Sequence, residues 1–316
     1  MRYMRLKLDE FFGLIDTEEQ ARDLFWRAKF EGKEFECPRC CHANFYAFSN
    51  RPEVRRCRQC NKEVRVRAGT MLEHSKKPLL VWARAVFLMM QDKRGVSALH
   101  LQRELGLKSY GTVWGMLHKI RCALEQRDRR YKLHDHVELD GASFGREAPH
   151  RKGRRPKNPD CSKPVTEVLI AIETKEWVDH KGRAKERAGF AKVEISRETS
   201  ILSQEFVSSA IADGTMVNAD GSPSFTNLKG VDVEQQVMNG SPERLDHWLP
   251  WVHRFISNAK DWLLGTHHGV KSKYLPRYLA EHTYRFNRRH DPDGLFHRAL
   301  TACSLATPVR LCALSG

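Results

Sequence analysis

Apolar residues recur along this chain at more than one spacing, and the spacing changes where the structure should change. Over residues 8 to 32, Phe11, Phe12, Leu14, Ile15, Ala21, Leu24, Phe25 and Trp26 sit among Glu and Arg and predict helix. After Lys77 and Pro78, the positions Leu79, Leu80, Val81, Trp82, Ala83, Ala85, Val86, Phe87 and Leu88 are too dense for a surface strand and predict a mostly buried helix. Residues 95 to 107 read as a short helix, capped by Ser97 and stopped by Gly106. Val113, Met116, Leu117, Ile120 and Leu124 then give a second helix over 108 to 124, so the pair predicts a helix-turn-helix. That second helix is expected to offer Ser109, Tyr110, Thr112, His118, Lys119 and Arg121 to a DNA groove or its phosphates. A plain two-helix hairpin has the same pattern.

From about residue 134 the period shortens. Residues 136 to 145, 165 to 174 and 189 to 195 are β-rich, 199 to 211 is helical, and 215 to 219 is a further strand, giving the order three strands, helix, strand. Helices are expected again over 249 to 264 and 272 to 289. The reading is an α/β multidomain chain: an N-terminal helix and ribbon over 1–75, a helical helix-turn-helix region over 76–132, and a mixed sheet flanked by helices over 133–316.

The ribbon comes from cysteine spacing. Cys37 and Cys40 enclose Pro38 and Arg39, and Cys57 and Cys60 enclose Arg58 and Gln59, which is the spacing of two knuckles holding one structural Zn²⁺. Val64 and Val66 alternate with charged residues in its last strand, before Gly69 and Thr70. Arg39, Arg55, Arg56 and Arg58 are near enough in sequence to offset the thiolate charge. Cys41 is read as a bystander, and Cys122, Cys161, Cys303 and Cys312 as reduced thiols.

Charge extends this picture without naming an activity. With 54 Lys and Arg against 39 Asp and Glu in 316 residues, the net charge is +15, and polyanions are the expected partner. No apolar run approaches the roughly 20 residues that span a bilayer, and the N-terminus lacks a signal-peptide core, so a cytoplasmic protein with no membrane partner is expected. Arg151, Lys152, Arg154, Arg155 and Lys157 follow the first strand and are read as a phosphate clamp rather than a solvated loop.

Four Asp-Gly pairs occur, at Asp140, Asp213, Asp220 and Asp293, and the dipeptide alone signals only a turn. Asp140 and Asp220 differ from the others in closing apolar strand segments. Two such carboxylates on neighbouring strands are what two-metal phosphodiester chemistry needs, with ions about 3.5–4 Å apart. Glu138 shares a face with Asp140 by strand alternation and is a minor rival.

Several stretches together resemble a known family: Glu138-Leu139-Asp140-Gly141-Ala142-Ser143-Phe144-Gly145 and its basic loop, Asn218-Ala219-Asp220-Gly221, Ser257-Asn258-Ala259-Lys260, Gly265-Thr266-His267-His268-Gly269-Val270, Tyr278-Leu279-Ala280-Glu281 and Arg285-Phe286-Asn287-Arg288-Arg289. They look like the zinc-ribbon insertion-sequence transposases of the ISXO2-like group. The resemblance implies a ribonuclease-H-like domain of the DDE class that uses Mg²⁺ or Mn²⁺. It also implies double-stranded DNA partners, namely terminal inverted repeats and target DNA, a homo-oligomer on DNA, and a prokaryotic, nucleoid-associated setting.

The resemblance further implies catalytic roles for Asp140, Asp220, Asn258, Lys260 and Glu281. Asn258 stands where the class usually has a third acid, and a neutral oxygen ligand holds a metal more weakly, favouring Mn²⁺. Two apart on a helix, Asn258 and Lys260 point to nearly opposite sides, so if Asn258 faces the metals, Lys260 is expected to contact DNA or the flanking helix. An ordinary exposed helix face is the plainer reading of both. Glu281, Arg285 and Arg288 form one helical stripe, in which the arginines either hold phosphates or make a salt-bridge ladder with Glu281. His267 and His268 are candidate phosphate donors or incidental. The alternative function is a zinc-ribbon DNA-binding regulator or an inactive transposase relative, which needs the four cysteines but neither aspartate.

Overall fold

The computed structural model describes residues 7–145, 165–178, 181–236 and 248–309. Contacts divide the chain into two units, one of residues 1–128 with 288–316 and one of residues 129–287.

In the first unit α1 (Leu8–Leu14) and α2 (Glu18–Lys29) precede a three-stranded antiparallel sheet of β1 (Phe45–Ala47), β2 (Val54–Cys57) and β3 (Glu63–Arg65). Then come α3 (Leu79–Gln91), α4 (Ala98–Glu104) and α5 (Tyr110–Asp128). Thr17 caps α2, its Oγ1 accepting the Gln20 amide at 3.2 Å while Gln20 Oε1 accepts the Thr17 amide at 3.0 Å. The N-cap of α3 is Pro78, which has no side-chain acceptor. Glu18 fills that role from α2, accepting the Leu79 and Leu80 amides at 2.7 and 2.9 Å.

The chain's last described helix, Leu295–Leu305, belongs to this same unit. Phe296 packs edge-on to Phe11 (5.3 Å between centroids) and Phe87 (5.5 Å), which themselves stack at 3.9 Å. The third segment read from sequence ran to residue 316; in the structure residues 288 onward join the N-terminal helices instead. The aromatic side chains of α1 and α3 are what draw them there.

The second unit is built on β4 (His136–Phe144), β5 (Thr166–Val178), β6 (Ala184–Ile195), β7 (Thr215–Asp220) and β8 (Val231–Gln236), with α6 (Ser200–Ala210), α7 (Pro250–His267) and α8 (Leu275–Asn287). The sheet order is β6-β5-β4-β7-β8. The pairs β4/β5 and β5/β6 are antiparallel, whereas β4/β7 and β7/β8 are parallel, which is the ribonuclease-H-like mixed sheet. Strand β8 was not anticipated. Its side chains alternate between half-buried and exposed, so it has no strongly apolar face to announce it.

Pleating sends alternate residues to opposite layers. Val137, Leu139, Val217 and Ala219 pack with Phe206, Val207 and Ala210 of α6. Val168, Ile170 and Ile172 pack on the other side with Val252, Phe255 and Ala259 of α7. β5 is covered on both faces, which is why its middle reads as an unbroken apolar run. Glu138, only 4% exposed, accepts the Trp251 and Val252 amides at 2.8 and 2.9 Å and so caps α7 behind Pro250. Burial pushes its carboxyl up to about 7. At the other end of the layer, Asn287 pins α8 to β6 by accepting the Ala191 amide at 2.6 Å and donating to the Ala191 carbonyl at 3.1 Å.

Candidate active site and metal centre

Strands β4 and β7 run in parallel register as far as Leu139 opposite Ala219. The next residue on each is an aspartate, so Asp140 and Asp220 come side by side where the two strands part, on the face that carries α7. Each has one carboxylate oxygen fixed by local backbone. The Gly141 amide donates to Asp140 Oδ1 at 2.8 Å, and the Ser222 amide to Asp220 Oδ1 at 3.1 Å. The remaining oxygen of Asp140, Oδ2, lies 3.2 Å from His253 Nε2 in the first turns of α7. Burial raises the Asp220 carboxyl above its usual range, and the nearby carboxylates of Asp140 and Glu198 push it the same way. Crowded, partly desolvated carboxylate oxygens are hard donors that a divalent cation such as Mg²⁺ or Mn²⁺ would both suit and neutralise.

The sequence pattern missed His253. Its signal was available, since the inward stripe of the expected helix, Val252, Phe255 and Ala259, has a histidine beside it. Asn258, by contrast, is exposed, and at about 100° per residue it lies roughly 140° round the helix from His253. Lys260 shares the His253 stripe, with its Nζ 5.8 Å from the Phe144 ring centroid. Both residues are exposed, and of the two only Lys260 lies on the side of the helix that bears His253.

Other expected contact residues are placed differently. Glu281 is fully buried with Arg285 Nε 4.0 Å away, and Arg285 is only 12% exposed, so this pair is an intrahelical bridge rather than a phosphate grip. Arg288 is also committed: Asp128 holds its guanidinium at 2.6 and 3.2 Å. Within α5, His118 and Arg121 are buried, and Lys119 is half-buried with its Nζ 3.5 Å from the Met71 carbonyl. The expectation that these three face DNA is corrected, because α5 is a core helix over most of its length. Its first residues, Tyr110 and Gly111, are exposed, with Ser109 just ahead of them, as is Arg127 near its other end. Arg151, Lys152, Arg154, Arg155 and Lys157 lie outside the described residues. His267 packs against Trp262 and Tyr278, so it too is occupied by the fold.

In the first unit the four expected cysteines converge. The sulfurs of Cys37, Cys40, Cys57 and Cys60 all lie within 4.8 Å of one another, with Cys37–Cys60 and Cys40–Cys57 at 3.5 Å. Tetrahedral Zn–S bonds of about 2.3 Å put sulfurs about 3.8 Å apart, so this cluster can hold a metal ion of that kind. The two knuckles repeat one backbone pattern. Cys41 and Asn61 donate back to the carbonyls of Cys37 and Cys57, at 2.9 and 3.1 Å, and both adopt left-handed φ of 57°. Cys41 is thus the turn residue of its knuckle, with its thiol facing outward. The neighbouring arginine side chains serve the fold. Arg56 binds Glu63 at 2.7 Å, Arg55 lies over the Trp26 and Phe45 rings, and Arg58 donates to the Phe45 carbonyl at 3.1 Å. Cys122 and Cys303 are buried and in no disulfide, while Cys161 and Cys312 lie outside the described residues.

Residues 132–287 match the family model of the ISXO2-like transposase domain. The resemblance read from the motifs therefore holds across the sheet unit, which carries a transposase domain of that type. No curated protein matches the chain. Among solved structures it is similar to the one titled "Crystal structure of the Mos1 Strand Transfer Complex", at 11% identity over 66% of this chain and 75% of that one, with a TM-score of 0.22. It is also similar to "Mos1 transposase paired-end complex with left transposon end", at 10% identity over 71% and 79%, again with a TM-score of 0.22. None of the described helices is long and apolar enough to cross a membrane.

Proposed function

We propose that this chain is an insertion-sequence transposase that binds the terminal inverted repeats of its element and performs metal-dependent strand cleavage and strand transfer. The observation that carries the reading is the pairing of Asp140 and Asp220 at the parting of β4 and β7, inside the segment that matches the transposase domain. Asp140 and Asp220 would hold Mg²⁺ or Mn²⁺ there. Bound at that place, the cations activate the attacking oxygen and offset the charge on the leaving one.

The chain's own residues supply the rest. The Gly141 and Ser222 amides and the His253 ring keep the carboxylates from rotating away, so little reorganisation is needed when DNA arrives. Water attacks a phosphorus at the element end and the 3′-oxygen departs as a hydroxyl; that 3′-hydroxyl then loses its proton and attacks a phosphorus of the target strand, displacing that strand's own 3′-oxygen, which leaves as a hydroxyl. No bond to the protein forms. Lys260, on the His253 side of α7, meets a phosphate of the bound strand, and Asn258 lies on the helix's outer face, where it can meet DNA but not the cations. Zn²⁺ in the four-cysteine cluster shapes the ribbon, which reads the repeats together with the open first turn of α5. Two element ends are held by a homo-oligomer of the chain.

The test is strand transfer of labelled element ends in Mn²⁺ or Mg²⁺, with end binding followed in parallel by gel shift. Asp140→Asn and Asp220→Asn are each expected to join nothing while binding the ends as the wild type does. Normal joining by both would reject the reading in favour of a DNA-binding regulator.

A further inference from the structure

A third carboxylate comes up against Gly141 and Ser222, neighbours in sequence of the paired aspartates, from a segment to which nothing in the motif pattern points. Glu198 lies just ahead of Thr199, the N-cap of α6, and that cap fixes where the chain turns from β6 into the helix. Its side chain crosses to the end of β4 and occupies the space a side chain on Gly141 would need. A Cβ built there would fall 3.1 Å from Glu198 Cδ and 3.6 Å from Cγ, with the Oε2 atom nearer still. Glu198 Oε1 accepts the Ser222 hydroxyl, and the Glu198 carbonyl accepts the Ser224 hydroxyl at 3.1 Å. The carboxylate is thus held between the residue after Asp140 and the residue two beyond Asp220. It is half-buried, and it adds a like charge to a place that already has two.

We propose that Glu198 is the third carboxylate ligand of the divalent cations held by Asp140 and Asp220, in the place that Asn258 does not fill. The argument rests on the transposase reading of that site. Like charges gathered at one place raise one another's energy, and a bound metal ion removes that penalty. It also gives Gly141 a reason: any side chain at that position displaces the Glu198 carboxylate, so the residue after the first aspartate has to be bare.

The experiment is Mn²⁺ binding to the full-length protein without DNA, measured by electron paramagnetic resonance titration, with thermal unfolding of the metal-free protein as a control. Glu198→Gln keeps the shape and the Ser222 contact but removes the charge. It is expected to weaken Mn²⁺ by about 10-fold or more, to leave gel-shift binding of element ends intact, and not to lower the metal-free melting temperature. Glu198→Asp should recover part of the loss. Wild-type Mn²⁺ affinity in Glu198→Gln would overturn the proposal and leave Glu198 as a packing residue over Gly141. Asp140→Asn separates the two readings, because undiminished Mn²⁺ binding in that variant rejects the metal site itself, whatever Glu198 does.

Discussion

In the ribbon, four donors come from two short knuckles whose backbones close on themselves; in the sheet unit, Asp140 and His253 meet across 113 positions of sequence. The ribbon strands are three or four residues long and bury little, so the thiolate cluster holds together what the apolar residues cannot. The sheet has apolar layers on both faces and keeps its shape without help from the cations its carboxylates would bind. On the proposed reading one metal centre serves folding and the other serves chemistry, and removing them should have opposite consequences.

The largest effect is expected at the ribbon. Cys57→Ser, or prolonged chelation, should release the bound metal and unfold residues around 33–70, a loss set by structural-zinc energies on the order of 10 kcal/mol. Metal content by atomic absorption and protease cleavage within the ribbon would register it, with residues 129–287 still protected. Retained ribbon protection in the metal-free protein would break the contrast. Next, Asp220→Asn should reduce strand transfer to background yet leave the metal-free melting temperature unchanged or higher, since the substitution removes a carboxylate that burial and two like neighbours disfavour. A marked fall in melting temperature would make Asp220 structural.

A smaller effect is expected from Glu18→Ala, which strips two amides at the start of α3 of their acceptor and should cost roughly 2 kcal/mol in urea unfolding. A further effect, spread over a range of pH, is expected in the sheet unit. Burial and then Arg285 hold His282 down at about 4, so the folded state keeps it neutral while the unfolded chain takes up a proton near 6.5. Between those values the unfolded state binds more protons, so stability falls as pH drops from about 6.5 to 4. His282→Phe should flatten that slope in urea midpoints measured across the window.

How much could be read from sequence follows the same division. The ribbon was legible because its ligands repeat locally, as were β4, β5, α3 and the helix-turn-helix, whose apolar periods are strong. Asp140 and Asp220 stood out because each closes an apolar segment within its strand. His253 and Glu198 did not, because proximity to the aspartates depends on how α7 and the β6–α6 turn lie on the sheet, and neither sits in a distinctive local pattern. The Arg285 and Arg288 stripe misled for a related reason: helical spacing says which residues share a face, but not whether that face meets DNA, or a partner such as Asp128.

The return of Leu295–Leu305 to the N-terminal helices sets an order of events during synthesis. Residues 129–287 are contiguous and can finish folding as soon as they leave the ribosome. The earlier segment must wait, with Phe11 and Phe87 lacking their third ring until Phe296 emerges. A chain cut short after Asn287 would thus carry an intact sheet behind an unfinished front end, and its newly bared aromatic surface would make it a substrate for chaperones and proteases rather than a working fragment.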